Sequence, residues 1–220
     1  MSQQLRLKLQ RQARYTREEF VRGASNAQAV AAVESWPRWP AGCLALVGPE
    51  GVGKTHLARV WAAEVGAVVL SREVPDLTAA AGRPALLEDA DRGTPAEALF
   101  HLINLAAREG AGLLLTARTR PASWPAELPD LRSRLNALLV AEIEVPDDAV
   151  LEGVLRKLFR DRSIRPPAEV YPYLLRRMAR SIPEAQEVVR RMDEEAEGPI
   201  SRLLARTVLE EESQNLDLFE

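Results

Sequence analysis

Cys43-Leu44-Ala45-Leu46-Val47-Gly48-Pro49-Glu50-Gly51-Val52-Gly53-Lys54-Thr55 is an unbroken apolar run that passes into a glycine-rich turn ending in Lys-Thr. A continuous apolar pentapeptide is what a strand buried on both faces of a parallel sheet requires. The turn fits G-x-x-x-x-G-K-[ST] at every fixed position, and a helical pattern follows from Lys54 to about Val65. Glycines let the backbone curl so that successive N–H groups converge on phosphate oxygens, and the following helix adds the positive end of its dipole. Gly48, Pro49, Glu50, Gly51, Val52, Gly53, Lys54 and Thr55, with the adjoining His56, are the candidate nucleotide-binding residues. Lys54 would reach the β and γ phosphates, and the Thr55 hydroxyl would ligate Mg²⁺.

Outward from this turn, strand and helix signals alternate. Ala67–Leu70 and Ala85–Leu87 read as strands, 95–108 as a helix, 112–116 as a strand, 130–139 as a helix and 141–145 as a fifth strand. Upstream, Thr16 and Glu19 have the spacing of a capping box, and Ser25 can cap a helix that Pro37 and Pro40 break. Beyond Pro146 the strand signal disappears, and 147–162, 168–180, 182–195 and 199–212 read as helices. The pattern predicts an α/β fold: a three-layer α/β/α nucleotide-binding domain with a parallel sheet over 15–146, then a small all-helical lid over 147–212. Tails at 1–14 and 213–220 flank them.

A phosphate cradle needs acids for the metal and the attacking water. Glu88 and Asp89 end the strand Ala85–Leu87, which gives Glu88 the metal side and Asp89 the catalytic, water side. A solvated acidic loop is the alternative, since Asp91 is close. The net charge of −3 argues against a dedicated duplex-binding surface. The single Cys43 excludes an internal disulfide, suits a reducing cytoplasm, and reads as a small core residue. With two histidines and one cysteine, a zinc site is not expected. No apolar run reaches the ~18 residues needed to span a bilayer, so no membrane contact is expected and a cytoplasmic location is.

Three segments carry a resemblance to a known family. Lys54-Thr55-His56-Leu57 extends the phosphate loop as in DnaA-type AAA+ proteins. Tyr15–Asn26 resembles the segment that contacts adenine there, and Leu128-Pro129-Asp130-Leu131-Arg132-Ser133-Arg134-Leu135 resembles the motif bearing the family's arginine finger. Order and spacing agree over about residues 15–195. The chain is expected to lack the initiator's helix-turn-helix DNA reader and its N-terminal interaction domain, and in size and layout it resembles the Hda branch of the family, the alpha-proteobacterial type most closely. That resemblance implies an AAA+ fold, bound ADP or ATP with Mg²⁺, and an Arg134 that completes the ATP site of DnaA rather than its own. From the residues alone, Arg134 could equally belong to a basic helix face, paired with Asp130 at i,i+4.

Two departures from the family stand out. After the fourth strand the polar nucleotide sensor would be Thr116, with Arg118 as a second candidate; a simple strand-ending Thr is the alternative. Glu184 occupies the place of the lid's nucleotide-sensing arginine, with Arg180 just before the helix and Ser181 as its cap. With Glu88 in place of the more usual Asp, these predict weak or no turnover of ATP by the chain itself.

Gln4-Leu5-Arg6-Leu7-Lys8-Leu9 resembles the peptide by which Hda grips the DNA polymerase III sliding clamp (beta). Gln214, Leu216, Leu218 and Phe219 form a second Q-x-L-x-L-F segment of clamp-binding type. In both, apolar side chains would enter grooves while the Gln amide makes hydrogen bonds. The alternative for Gln4, Leu5, Leu7 and Leu9 is an edge strand or packing on the protein's own core; for Phe219 it is packing on the lid. The implied partners are DnaA, the clamp and, through the clamp, DNA, with self-association left open. The rival readings are a self-acting ATPase of the helicase-loader or clamp-loader type and a non-catalytic adaptor joining DnaA to the clamp.

Overall fold

β1 (Cys43–Val47), β2 (Val68–Leu70), β3 (Ala85–Leu87), β4 (Leu113–Ala117) and β5 (Leu139–Glu142) form a parallel sheet in the order β2-β3-β4-β1-β5. This is seen in a computed structural model that describes residues 15–109, 111–196 and 198–216. Every residue of β1, β3 and β4 is buried, as their unbroken apolar sequences require. Side chains alternate between the two faces. Leu44 and Leu46 pack under α1 (Ala24–Glu34) and α2 (Lys54–Val65), against Val30, Leu57 and Trp61. Cys43, Ala45 and Val47 face the opposite layer, where α4 (Ala96–Glu109) and α5 (Pro129–Ala137) supply Leu99, Leu102, Leu131 and Leu135. Burial pushes the Cys43 thiol up to about 12, so it remains an inert core residue.

The helices after β5 have a core of their own. α6 (Asp148–Asp161), α7 (Val170–Leu175), α8 (Ile182–Glu195) and α9 (Arg202–Leu216) bury Leu151, Leu155, Phe159, Val188, Val189 and Met192 together. Among the described residues no helix is long and apolar enough to cross a membrane.

Several elements differ from expectation. Thr16 caps no α-helix: Arg17–Glu19 is a single 3-10 turn, and the Thr16 side chain makes no cap bond. Ser25 does not cap α1; Gly23 stands at that position, with its N–H donated to Asn26 Oδ1. β5 lies nearer the N-terminus than 141–145, because the whole stretch 139–145 is rich enough in apolar residues to pair in either place; Ile143 N–H still reaches Val47 O. A one-turn α3 (Leu77–Ala80) fills the link between β2 and β3. α9 runs to Leu216, past the expected end at 212.

Ser25 has another task. Its N–H donates to Asp147 Oδ2 at 2.9 Å, and its Oγ accepts from Asp147 N–H at 3.3 Å. The other carboxylate oxygen accepts from Val150 N–H at 2.8 Å, so Asp147 caps α6. One side chain thus joins the start of the helical unit to α1. The backbone N–H groups of Val150 and then Ser25 hold its carboxyl below the usual range. A lowered carboxyl stabilises the fold above the ordinary aspartate range, and this is lost as pH falls through the lowered value. Asp147→Ala should cost about 1–2 kcal/mol at pH 7. Thermal melts should show the gap to the native chain closing in acid; equal midpoints at pH 7 would refute the joint's importance.

Candidate functional site

The strand order brings the C-terminal ends of β3, β4 and β1 side by side, and the expected phosphate loop, acids and polar strand end all lie there. In open parallel sheets this edge is where ligands bind. The loop's geometry depends on Gly48, at φ +151°. A Cβ there would sit 2.3 Å from Ile143 O, so the backbone passes too close to the neighbouring strand for any side chain. Val52 is buried beneath the loop. Lys54 is buried at the head of α2, and its Nζ donates to Gly48 O at 2.7 Å and Pro49 O at 2.6 Å. Burial lowers its affinity for the proton, while Asp89 is the largest opposing influence. Asp89 Oδ2 also lies 4.0 Å from Arg72 Nη1. It adopts a left-handed backbone (φ 51°), and its N–H donates to Thr116 Oγ1 at 3.0 Å.

The buried Thr116 hydroxyl accepts from the Asp89 N–H and so holds the backbone of that acid. Arg118 reaches the loop, with its Nη2 2.6 Å from Glu50 Oε2. Asp91 is neither metal-facing nor freely solvated: one oxygen accepts from the N–H groups of Arg118 and Thr119 and from the Thr119 hydroxyl.

Glu88, the expected metal carboxylate, is engaged by another side chain. Arg59, one helical turn beyond Thr55, donates from Nη2 to Glu88 Oε2, while Glu88 Oε1 is buried with no hydrogen-bond partner. Mg²⁺ keeps several waters when proteins bind it, and a buried oxygen beside a guanidinium gives a hydrated ion no access. Glu88 therefore does not fit a carboxylate-held Mg²⁺. Thr55 alone of the expected pair is exposed. Among the described residues no cluster of three or more His, Cys, Asp or Glu could hold a metal. Sequence reading missed Arg59, whose only signal was its i+4 spacing from Thr55 on one helix face.

The segment upstream of the loop lies against it. Tyr15 and Phe20 meet the His56 ring edge-on, with centroids 5.5 Å and 5.4 Å away. His56 Nε2 lies 3.0 Å from Thr16 O; because a carbonyl only accepts, this nitrogen carries the hydrogen. Burial pushes the His56 pKa down, consistent with a neutral ring. The helical unit closes on the loop from the other side. Ile182 N–H donates to Gly51 O at 2.9 Å, and a Cβ on Gly51 would fall 2.7 Å from Pro183 Cδ. Ser181 caps α8, as expected, by accepting from Glu184 N–H. Arg180, just before α8, has its Nη1 2.8 Å from Asp148 Oδ1 on α6.

Arg134 lies apart from this cradle. It is half-buried on α5, with its guanidinium carbon 5.3 Å from the Phe100 ring centroid, and the Asp130 pair that spacing allowed is not formed. Its charge is felt by Cys43, at the start of β1. The phosphate loop leaves the other end of that strand, five residues or about 16 Å away. Gln4, Leu5, Leu7, Leu9, Leu218 and Phe219 lie outside the described residues. Gln214 and Leu216 lie on the backbone of α9, so pairing there as an extended peptide requires its last turn to unwind.

Comparison with known proteins fits this geometry. Residues 11–81 match the model of the bacterial DnaA ATPase domain. The chromosomal replication initiator protein DnaA of Bacteroides thetaiotaomicron is 23% identical over 235 residues, covering 93% of this chain and 48% of that protein. The chain spans about half the length of the curated relatives it matches. Domain III of the Thermotoga maritima replication initiation protein DnaA superposes with a TM-score of 0.73 at 21% identity, over 90% of this chain and 96% of that one. The AMPPCP-bound DnaA of Aquifex aeolicus superposes with a TM-score of 0.68 at 19% identity, over 81% and 65%. The chain therefore has the fold of DnaA's AAA+ domain, and its residues 11–81 are similar to the bacterial DnaA ATPase domain.

Proposed function

We propose that the chain is a nucleotide-held regulator of DnaA, of the Hda type, that switches the initiator off by supplying Arg134 to DnaA-bound ATP. The observation that carries the reading is the placement of Arg134: half-buried on α5, over the Phe100 ring of α4, and with no ion pair among the described residues. A cation so placed serves a neighbour's nucleotide, where a fixed positive charge stabilises the transferring phosphoryl group. In this reading ADP or ATP sits on Gly48–Thr55 with its base beside Tyr15, Phe20 and His56. The nucleotide holds the helical unit, acting as a lid, through the Gly51–Ile182 contact. The segment Gln4–Leu9 binds the sliding clamp and so places the protein on replicated DNA. Glu88, taken up by Arg59, and the absence of an arginine at 184 disfavour a self-acting ATPase.

The test is a reconstitution with purified DnaA carrying labelled ATP. Adding the protein together with clamp loaded on DNA should accelerate ATP loss, and removing residues 1–10 should abolish the acceleration. No acceleration with loaded clamp overturns the proposal.

A further inference from the structure

We infer that Arg59 makes nucleotide binding by this chain independent of Mg²⁺; the inference rests on the adenine-nucleotide reading of the same loop. In a metal-dependent phosphate loop, a hydroxyl at the head of the helix and a carboxylate at the end of a nearby strand couple the ion to the protein. Here both residues are present, but Arg59 already pairs with the carboxylate. Thr55 and Arg59 are four residues apart on α2, on one face, so the guanidinium lies one turn below the hydroxyl and next to the end of β3. It holds Glu88 Oε2, and the pair is mostly removed from solvent on the carboxylate side, with Glu88 20% exposed. Glu88 Oε1 and Arg59 Nε are both buried without hydrogen-bond partners. A metal bound by Glu88 would have to reach a buried oxygen, shed water and displace or face a guanidinium. The charge that Mg²⁺ would match on the carboxylate is already matched from within. Phosphate charge falls to Lys54, the loop N–H groups and the head of α2. Arg59 is a positioning residue that acts by holding Glu88.

The experiment titrates the full chain with methylanthraniloyl-ADP by fluorescence anisotropy, in excess Mg²⁺ and in excess EDTA. The two dissociation constants should agree within about twofold, and Mn²⁺ added to the ADP-loaded chain should show no protein-dependent immobilisation by electron paramagnetic resonance. Arg59→Gln frees Glu88 and should open a gap of about tenfold in favour of Mg²⁺; the double variant Arg59→Gln with Glu88→Gln should close it again. Arg59→Lys, which keeps a cation beside Glu88, guards against an unfolded glutamine variant and should stay metal-independent. A loss of about tenfold or more on metal removal from the native chain overturns the inference while leaving the nucleotide reading intact. No binding in either condition overturns the nucleotide reading, and this inference with it.

Discussion

Arg134→Ala should reduce clamp-dependent hydrolysis of DnaA-bound ATP by about 10³-fold, the lower end of what arginine fingers contribute in well-studied NTPases. The expectation is specific because the fold should hardly notice the change. Arg134 makes one described contact, the cation–π approach to Phe100, which is worth about 0.5–1 kcal/mol at a partly exposed site. The variant should melt within a few degrees of the native chain and bind labelled ADP equally well. Arg132 is the internal control. It lies two residues away on α5 with equal charge, but its Nη1 donates to Ala122 O at 3.0 Å, and it ties the helix to the preceding loop. Arg132→Ala should leave hydrolysis within about threefold. Arg134→Lys should restore little, because an ammonium lacks the planar fork that spans two phosphate oxygens. Equal losses from Arg132→Ala and Arg134→Ala would reduce the finger to a basic face. A silent Arg134→Ala, with deletion of residues 1–10 still inactivating, would leave the adaptor reading standing.

The parts legible in the sequence were those written in contiguous residues. The unbroken apolar runs of β1 and β4, the glycine spacing, and the cap at Ser181 each carry their cause within a few positions of the effect. The misread parts depend on residues distant in the chain. Ser25 has the chemistry of a helix cap, and only the arrival of Asp147, 122 positions later, makes it a joint instead. Glu88 has the right place for a metal carboxylate until Arg59, on another element, neutralises it. Strand-end position likewise does not show that the Thr116 hydroxyl holds Asp89 N–H. α7 is shorter than its apolar pattern over 168–180: its ordered turn spans Val170–Leu175, and a bend separates it from the cap of α8.

Gly51→Ala should damage both the fold and nucleotide binding, and Gly66→Ala shows why. Both glycines have left-handed backbones, φ +76° and +66°, so alanine carries similar intrinsic strain at each, on the order of 1 kcal/mol. They differ in what the new methyl meets. At Gly66 nothing lies within 4 Å. At Gly51 the Cβ would fall 2.7 Å from Pro183 Cδ and 3.1 Å from its Cγ. The ring is fixed in the first turn of α8 and cannot rotate away. The helical unit must retreat, stretching the 2.9 Å bond from Ile182 N–H to Gly51 O, and overpacking of this kind costs about 1–3 kcal/mol more. At about 2–4 °C per kcal/mol for a chain of this size, Gly66→Ala should lower the melting midpoint by a few degrees and Gly51→Ala by roughly twice as much or more. Labelled ADP should bind about tenfold more weakly to Gly51→Ala. Binding to Gly66→Ala should be normal, since Gly66 lies a whole helix, about 18 Å, from the loop. If the two variants melt alike and bind ADP alike, the contact between phosphate loop and helical unit transmits nothing. The nucleotide would then have no grip on the helical unit through this contact.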